Sequence, residues 1–288
     1  MTSIPPRILA IAGSDSSGGA GIQADVKTIT MLGGYAMTAI TAITAQNSTG
    51  VQGIAPISGD MVLEQIASCV DDIGVDAIKI GMLHDSEIVR AVAAALVAAP
   101  EIAARSAAGH ERKDAPPGVD RFPIVLDPVM IATSGATLIA EDAIAAMKAR
   151  LFPLATLITP NLPELAHLVG RSLRTTDEVA EAAAELANQY DCHVLAKGGH
   201  ADGSRVIDLL IGPGDARAAS FDDPRIETKH THGTGCTLSS AIATLLGHGQ
   251  PLEHSVRLAR RFVRRAIAEA PGFGLGSGPL GHQAVRGA

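Results

Sequence analysis

The run from Thr231 to Cys236, Thr-His-Gly-Thr-Gly-Cys, stands immediately before a helical pattern at 237–246. Its two glycines let the backbone turn tightly and approach a ligand. The first N–H groups of a helix lack a partner within the helix, and the helix dipole makes that end mildly positive, so the junction is predicted to bind an anion such as a phosphate. We expect the same field to lower the pKa of the Cys236 thiol, which indicates phosphoryl or acyl chemistry. The alternative is a glycine-rich turn with a buried cysteine.

Oxygen-bearing side chains follow two further apolar runs. Asp127 comes directly after the run at 124–126, and Asn161 and Glu164 follow the run at 156–158. Such oxygens suit Mg²⁺, and the three-residue spacing puts Asn161 and Glu164 on one face of a first helical turn. We therefore predict Asp127 and Glu164 as metal ligands. The alternative for Glu164 is a helix N-terminal charge with no further role.

Two other motifs carry basic or imidazole groups. Lys197 follows the apolar run at 194–196 and can neutralise a phosphate there. His230 and His232 are two residues apart, so they share one face if that segment is a strand. No third ligand stands near them in the sequence, so we do not expect them to form a metal site.

The glycine-rich segment 13–21 follows the first apolar run and opens the first helix. It contains a G-x-G-x-x-A match, but the loop is too long for a dinucleotide turn and no acid ends the next strand. We interpret it as a flexible rim over a substrate, with Gly13 among the substrate-binding residues. Asp25, one turn into the helix, is expected either to reach back toward a ligand or to be an exposed first-turn acid.

Gln46 follows a predicted strand at its carboxyl end, where ligands of parallel sheets bind. Its amide offers one acceptor and two donors, which suit a heteroaromatic ring that carries a ring nitrogen beside an amino group. The alternative is a turn amide that bonds to nearby backbone.

Short apolar runs alternate with helical patterns along the chain, which predicts βαβ units and a mostly parallel sheet covered on both faces. Strands are expected at 8–12, 38–44, 77–80, 124–126, 156–158, 194–196 and 206–210. Helices are expected at 22–32, around Met61, Gln65 and Cys69, and at 87–99, 142–150, 176–190, 237–246 and 252–270. The polar segment 100–123 is predicted to be a long surface loop, and residues 1–288 to form one domain.

Composition excludes several functions. The net charge of −7, aromatics at 2% and the lack of Trp argue against a nucleic-acid or anionic-membrane partner. No apolar run is long enough to span a bilayer, and the first residues do not resemble a signal peptide. Three widely spaced cysteines suggest a reducing cytoplasm. The arginines at 257–265 are expected on a solvated helix face, with Phe262 and Val263 packed inward.

Taken in order, the motifs resemble the hydroxymethylpyrimidine and phosphomethylpyrimidine kinases of thiamine synthesis, in the ribokinase-like superfamily. The resemblance spans nearly the whole chain and rests on segments 12–25, 44–47, 79–82, 127–130, 159–164, 197–200 and 231–236. It departs from the family at two places. The segment 100–123 is longer than usual, and His230 stands where Asn is expected, beside the anion-binding turn.

The resemblance implies a three-layer α/β/α fold that uses ATP and Mg²⁺, and it makes a homodimer plausible. It implies that Gln46 binds an aminopyrimidine, with Met82 packed near it. It also implies that Gly233, Thr234 and Gly235 form the anion hole and that Cys236 stands where other superfamily members carry a catalytic Asp. The ATP-binding residues are then expected to be Lys197, Asn161 and Thr231.

The resulting hypothesis is transfer of phosphate from ATP to 4-amino-5-hydroxymethyl-2-methylpyrimidine and then to its monophosphate, with Cys236 taking or orienting the hydroxyl proton. Three alternatives remain open. A pyridoxal kinase could use the same scaffold, and a non-catalytic protein could bind the pyrimidine alone. A hydrolase with Cys236 as nucleophile would need His232 as its base.

Overall fold

The computed structural model describes residues 4–98, 122–130, 139–200, 203–214 and 217–285. Its strands are β1 (Arg7–Ala12), β2 (Tyr35–Ile40), β3 (Ala42–Asn47), β4 (Gly50–Pro56), β5 (Ala77–Ile80), β6 (Ile124–Leu126), β7 (Leu157–Ile158), β8 (His193–Ala196), β9 (Arg205–Ile211) and β10 (Arg217–Pro224). Its helices are α1 (Gly21–Met31), α2 (Gly59–Asp72), α3 (Ser86–Ala98), α4 (Glu141–Arg150), α5 (Leu162–Val169), α6 (Thr176–Tyr190), α7 (Thr234–Gly247) and α8 (Leu252–Ala268).

In the described part of the chain, eight strands form one sheet in the order β10-β9-β8-β7-β6-β5-β1-β2. The pairs from β2 across to β8 are parallel, whereas β9 and β10 are antiparallel to their neighbours. From Ile8 to Ala12, strand β1 is buried on both faces, because consecutive apolar residues supply one side chain to each face in turn. The predicted mostly parallel α/β sheet is therefore confirmed.

Helices cover both faces of this sheet. One face packs on α1, α7 and α8, with Ile8 and Ala10 of β1 against Ile29 and Ile242. The other face packs on α2 to α6, with Leu9 and Ile11 of β1 in the larger apolar cluster. The layers are thus helix, sheet and helix, which confirms the three-layer α/β/α prediction.

The single strand predicted at 38–44 is wrong, because the chain changes sheets there. β2 ends at Ile40, and β3 pairs with β4 in a separate antiparallel ribbon. Thr41 lies between them and is held by its backbone N–H, which donates to Ala12, and by its hydroxyl, which donates to the Met82 carbonyl. Gln46 is therefore inside a ribbon strand opposite Val51, not at the end of a strand of the main sheet.

Three other differences concern short or polar elements. Strands β4 and β10 and the full extent of α5 were not expected from periodicity. Arg260 is not on a solvated face, because its side chain is buried and paired with Asp208 and Asp223, whereas Phe262 and Val263 pack inward as expected. The predicted loop at 100–123 lies almost wholly outside the described residues. No helix in the described part of the chain is long and apolar enough to cross a membrane.

Candidate active site

The residues singled out in the sequence converge on one edge of the sheet. Gly13 follows β1, Gly81 follows β5, Asp127 follows β6, Asn161 lies just beyond β7 and Lys197 follows β8. All five strands are parallel, so their carboxyl ends meet at the edge where open α/β sheets bind ligands. Helix α7 points its N-terminus at the same edge.

The N-terminal turn of α7 is built on Gly233. This residue is the N-cap, adopts a left-handed φ of 85° and provides no side-chain cap. A Cβ at this position would overlap the carbonyl oxygen of Gly19. The N–H of Thr234 bonds to the Thr231 carbonyl, and the next two N–H groups, of Gly235 and Cys236, have no acceptor within a helix. These two donors and the helix dipole form a suitable site for an anion.

Lys197 and Asp127 lie directly against this turn. Lys197 Nζ is 2.7 Å from Asp127 Oδ1, which also accepts a 3.0 Å hydrogen bond from the Thr159 hydroxyl. A Cβ at Gly235 would lie 3.1 Å from Asp127 Oδ2 and 3.3 Å from Lys197 Nζ, so glycine lets the turn approach the ion pair. Burial lowers the pKa of Lys197, but the Asp127 and Glu164 carboxylates raise it further, so the net shift is upward. Lys197 therefore remains a cation beside the open N–H groups.

Asn161 and Glu164 form a capping box at the start of α5. The Asn161 side chain accepts from the Glu164 N–H at 2.9 Å, and Glu164 Oε2 accepts from the Asn161 N–H at 2.8 Å. Asn161 and Glu164, which were expected to share one helical face, thus cap the helix reciprocally. The N-x-x-E spacing is the sequence signature of such a cap. Burial raises the pKa of Glu164 to about 7, with Lys197 opposing this and Asp127 adding to it.

This pair of acids fits a divalent cation. The buried Glu164 carboxylate is repelled by the nearby Asp127 carboxylate, and a hard cation between them would remove this repulsion. Both side chains supply the oxygen ligands that Mg²⁺ prefers. Among the described residues, no group of three or more His, Cys, Asp or Glu side chains is arranged to hold a metal. Water and phosphate oxygens would therefore complete the coordination, as is usual for Mg²⁺.

The expectation of a lowered pKa at Cys236 is wrong. Burial raises the pKa of the thiol to about 11, although the Lys79 ammonium and the N–H of Gly21 act in the opposite direction. The carboxylates of Asp25 and Asp127 raise it further. Loss of hydration therefore outweighs the stabilising Lys79 ammonium and Gly21 N–H, and the thiol is neutral at pH 7.

Asp25 is neither an exposed acid nor open to a ligand. It is fully buried, and its two oxygens lie 2.9 and 2.8 Å from Lys79 Nζ. The hydroxyl of Ser240, one turn beyond Cys236 on α7, donates to Asp25 Oδ1 at 2.7 Å. Burial lowers the pKa of Lys79, but Asp25 and Cys236 raise it, to about 12. No sequence motif indicates this ion pair, because its partners are 54 residues apart.

Two of the predicted substrate-binding residues, Gly13 and Met82, are in contact, and the third, Gln46, lies in the ribbon strand β3. Gly13 donates to the Met82 carbonyl at 3.1 Å, and a Cβ at Gly13 would lie 2.5 Å from Met82 Cε. Met82 and Gln46 are both partly exposed. Gln46 Oε1 accepts from the Thr44 hydroxyl at 3.3 Å, while its amide NH₂ has no acceptor within the described residues. The amide donors are thus available to a ligand.

The segment 13–21 is held in place and is not the flexible rim that was expected. The Asp15 carboxylate accepts from the Ser17 N–H and hydroxyl, from the N–H groups of Gly19 and Ala20, and from His232 Nε2 at 2.8 Å. Asp15 was not among the predicted site residues, although an Asp side chain that accepts from the N–H two residues further along is a known turn signal. Because His232 bonds to Asp15, it is not placed as the base of a Cys236 hydrolase.

Comparison with known proteins gives a consistent result. The family model described as phosphomethylpyrimidine kinase matches residues 15–105 and 117–281. The hydroxymethylpyrimidine/phosphomethylpyrimidine kinase of Streptomyces coelicolor is 42% identical over 278 residues, which cover 96% of this chain and 94% of the relative. A thiamine biosynthesis bifunctional protein of Geobacter sulfurreducens is 42% identical over 275 residues, or 96% of this chain, which spans only 52% of that relative's length.

A similar solved structure is an ADP complex of Bacillus subtilis pyridoxal kinase. It is 34% identical, has a TM-score of 0.81, and the match covers 98% of this chain and 99% of that one. The turn, the Lys197–Asp127 pair and the Asn161–Glu164 cap thus lie in a chain with the ribokinase-like fold. With its family model covering most of the sequence, the chain is a member of the phosphomethylpyrimidine kinase family.

Proposed function

We propose that this chain transfers the γ-phosphoryl group of ATP to the hydroxymethyl group of 4-amino-5-hydroxymethyl-2-methylpyrimidine, and then a second one to the monophosphate. The observation that carries this proposal is the open N-terminus of α7, which lies against the Lys197–Asp127 pair on one side and against Gly19 and Gly21 of segment 13–21 on the other. A phosphate at this turn and an acceptor beside segment 13–21 would therefore be neighbours.

The nucleotide is proposed to lie on the side of β7 and β8. Lys197 would neutralise phosphate charge, and Asn161 and Thr231 would border the nucleotide. Asp127 and Glu164 would hold Mg²⁺, which supplies charge neutralisation at the transferring phosphoryl group when bound. Lys197 already pairs with Asp127. An incoming phosphate would therefore replace Asp127 as a partner of the Lys197 ammonium, and the Asp127 carboxylate would turn to Mg²⁺.

The acceptor is proposed to lie between Gln46 and Met82, with the Gln46 amide on the aminopyrimidine edge. The hydroxymethyl oxygen forms a bond to the γ-phosphorus, the bond to the β-phosphate oxygen breaks, and ADP leaves. The N–H groups of Gly235 and Cys236 stabilise the charge on the phosphoryl oxygens. Since the Cys236 thiol is neutral at pH 7, we propose that it orients the hydroxyl, whose proton passes late to an oxygen of the transferred phosphoryl group.

A coupled ADP-release assay tests this function with three separate acceptors. We expect turnover with the hydroxymethylpyrimidine and with its monophosphate. The likeness to Bacillus subtilis pyridoxal kinase makes pyridoxal the necessary third acceptor. Turnover on pyridoxal alone would move the assignment to vitamin B6 salvage, and no ADP from any acceptor, with the pyrimidine bound, would favour a binding protein.

We further propose that residues 1–288 act as a single cytoplasmic domain that forms a homodimer. Support for the dimer comes from the ribbon of β3 and β4, where Ile43 and Ile54 are exposed at 47% and 36%. Exposed apolar residues on a two-stranded ribbon favour burial against another protein surface. Light scattering of the purified chain measures the oligomeric state directly.

A further inference from the structure

Two glycine-containing segments from opposite ends of the chain meet beneath the site. They are the segment 13–21 after β1 and the turn at 232–235 before α7. A Cβ at Gly19 would overlap the His232 ring, and a Cβ at Gly233 would overlap the Gly19 carbonyl. The two backbones are thus in direct contact, and a shift of one must displace the other.

A buried hydrogen bond joins these segments. His232 Nε2 is 2.8 Å from Asp15 Oδ2, and the two residues are 6% and 1% exposed. A carboxylate only accepts, so His232 Nε2 carries the proton and donates it. The same oxygen accepts from the N–H groups of Gly19 and Ala20 at 3.0 and 2.7 Å. Burial raises the pKa of Asp15, but the bonds from His232, Ser17 and Ala20 lower it more, so it is ionised at pH 7.

One end of this hydrogen bond adjoins the turn proposed to bind phosphate, and the other end adjoins the ribbon proposed to bind the acceptor. His232 directly precedes Gly233, the N-cap of the anion-binding turn. On the other side, the neighbour of Asp15 is bound to the acceptor ribbon: the Ser16 hydroxyl donates to the Gln46 carbonyl at 2.8 Å and accepts from the Gln46 N–H at 2.9 Å. Two sets of hydrogen bonds, joined through the covalent neighbours Ser16 and Asp15, therefore link Gln46 to His232 at the start of the α7 turn.

We propose that His232 and Asp15 are positioning residues that set the distance between the acceptor hydroxyl and the transferring phosphoryl group. The proposal rests on the kinase function proposed above. Neither side chain needs to contact a substrate, because the bond acts through the two backbone segments. Phosphoryl transfer depends chiefly on alignment, and a misplacement of about 1 Å costs roughly 100-fold in rate. Loss of the bond should therefore reduce kcat more than it weakens binding.

The test compares His232→Leu with His232→Gln. The leucine removes the donor, whereas the glutamine amide can still donate to Asp15. We expect His232→Leu to lower kcat by about 30- to 100-fold while KM for ATP and for the pyrimidine stays within about threefold. His232→Gln should recover most of the lost rate. The matched control is His248→Leu, because His248 also joins distant segments through Nε2, at 2.9 Å from the Leu32 carbonyl, but is exposed.

Turnover is expressed per folded molecule, with the folded fraction taken from the thermal unfolding curve. If His232→Leu does not fold, His232→Asn replaces it, since the shorter amide does not reach Asp15. A kcat equal to that of the wild type, a loss confined to KM, or an equal loss in the glutamine variant overturns the proposal. If the wild-type protein itself releases no ADP, the kinase function fails and this proposal fails with it.

Discussion

Substitution of Gly233 by Ala tests whether the anion-binding turn must stay in close contact with the Gly19 backbone. The residue has a φ of 85°, and its added Cβ would overlap the Gly19 carbonyl oxygen. Gly170, the C-cap of α5, is the matched control: it has a similar φ of 71°, and a Cβ there meets nothing within 4 Å. The two variants thus share the backbone strain and differ in the contact.

The magnitudes follow from these two terms. A left-handed φ costs an alanine about 1–2 kcal/mol, and the less flexible unfolded chain offsets roughly 0.4–1 kcal/mol. Gly170→Ala should therefore reduce the free energy of unfolding by about 1 kcal/mol. At Gly233, forced displacement of packed backbone adds about 1–3 kcal/mol. With a sensitivity of roughly 2–4 °C per kcal/mol, the Tm should fall by about 2–4 °C for Gly170→Ala and by about 4–16 °C for Gly233→Ala.

Activity should separate the variants more sharply than stability does. Displacing a preorganised oxyanion donor costs about 100- to 1,000-fold in kcat, so Gly233→Ala should lose at least 100-fold and Gly170→Ala almost nothing. Thermal unfolding and ADP release at a temperature where both variants are folded measure the two effects. Equal Tm values for the two variants, or a threefold or smaller change in the kcat of Gly233→Ala, would refute the reasoning.

Three further predictions concern the charges around the turn. Cys236→Ala should lower kcat, with little change in pyrimidine binding as measured by calorimetry. Cys236→Ser should retain more activity, because its hydroxyl can still orient the acceptor. Unchanged turnover in the alanine variant removes the thiol from the mechanism. Because the pKa of Glu164 is raised to about 7, the unfolded chain loses this proton at lower pH than the folded one, so wild-type stability should fall between pH 5 and 7. Glu164→Gln keeps a capping acceptor and should reduce that fall in Tm; identical pH profiles would contradict the assignment. The buried Arg260 pairs with Asp208, whose Oδ1 accepts from the Gly198 N–H beside Lys197. Arg260→Leu should therefore destabilise the fold by about 3–5 kcal/mol, because it leaves a buried carboxylate without its partner. It should also raise KM for ATP, because Asp208 then no longer holds the backbone next to Lys197. Arg257→Leu, at an exposed pair with Glu253, should change neither quantity in urea unfolding and ADP-release measurements.

Helix caps, helical periodicity and apolar runs predicted the helices and strands whose formation depends on nearby residues. Helix α6 occupies residues 176–190 as expected, because Thr175 and Glu178 form a capping box at its start and apolar residues recur at helical spacing. Residues 8–12 of β1 and all of β6 are continuous apolar runs, and such runs in an alternating βα pattern indicate buried parallel strands. The edge at which the site lies follows from this topology, since every parallel strand ends there.

Contacts between distant segments left no such signal. The apolar run at 38–44 reads as one strand, because nothing in its periodicity shows that Thr41 turns the chain out of the main sheet. β10 carries two acids and a proline at its end, which is typical of an edge strand and is hard to distinguish from a loop. The bonds of Asp25 with Lys79 and of Asp15 with His232 join residues 54 and 217 positions apart. Their existence depends on the packed fold.

The error at Cys236 shows which physical effect decides the chemistry of the turn. A helix N-terminus is worth at most about 2 kcal/mol to an anion, or roughly 1.5 pKa units for a thiol. Burial exceeds this, because the pKa is still raised to about 11 after the Lys79 ammonium and the Gly21 N–H have lowered it. A phosphate held by the same N–H groups would oppose a thiolate further, since two anions would then share one set of donors. The turn therefore serves the phosphoryl group first, and the thiol acts beside it as a neutral group.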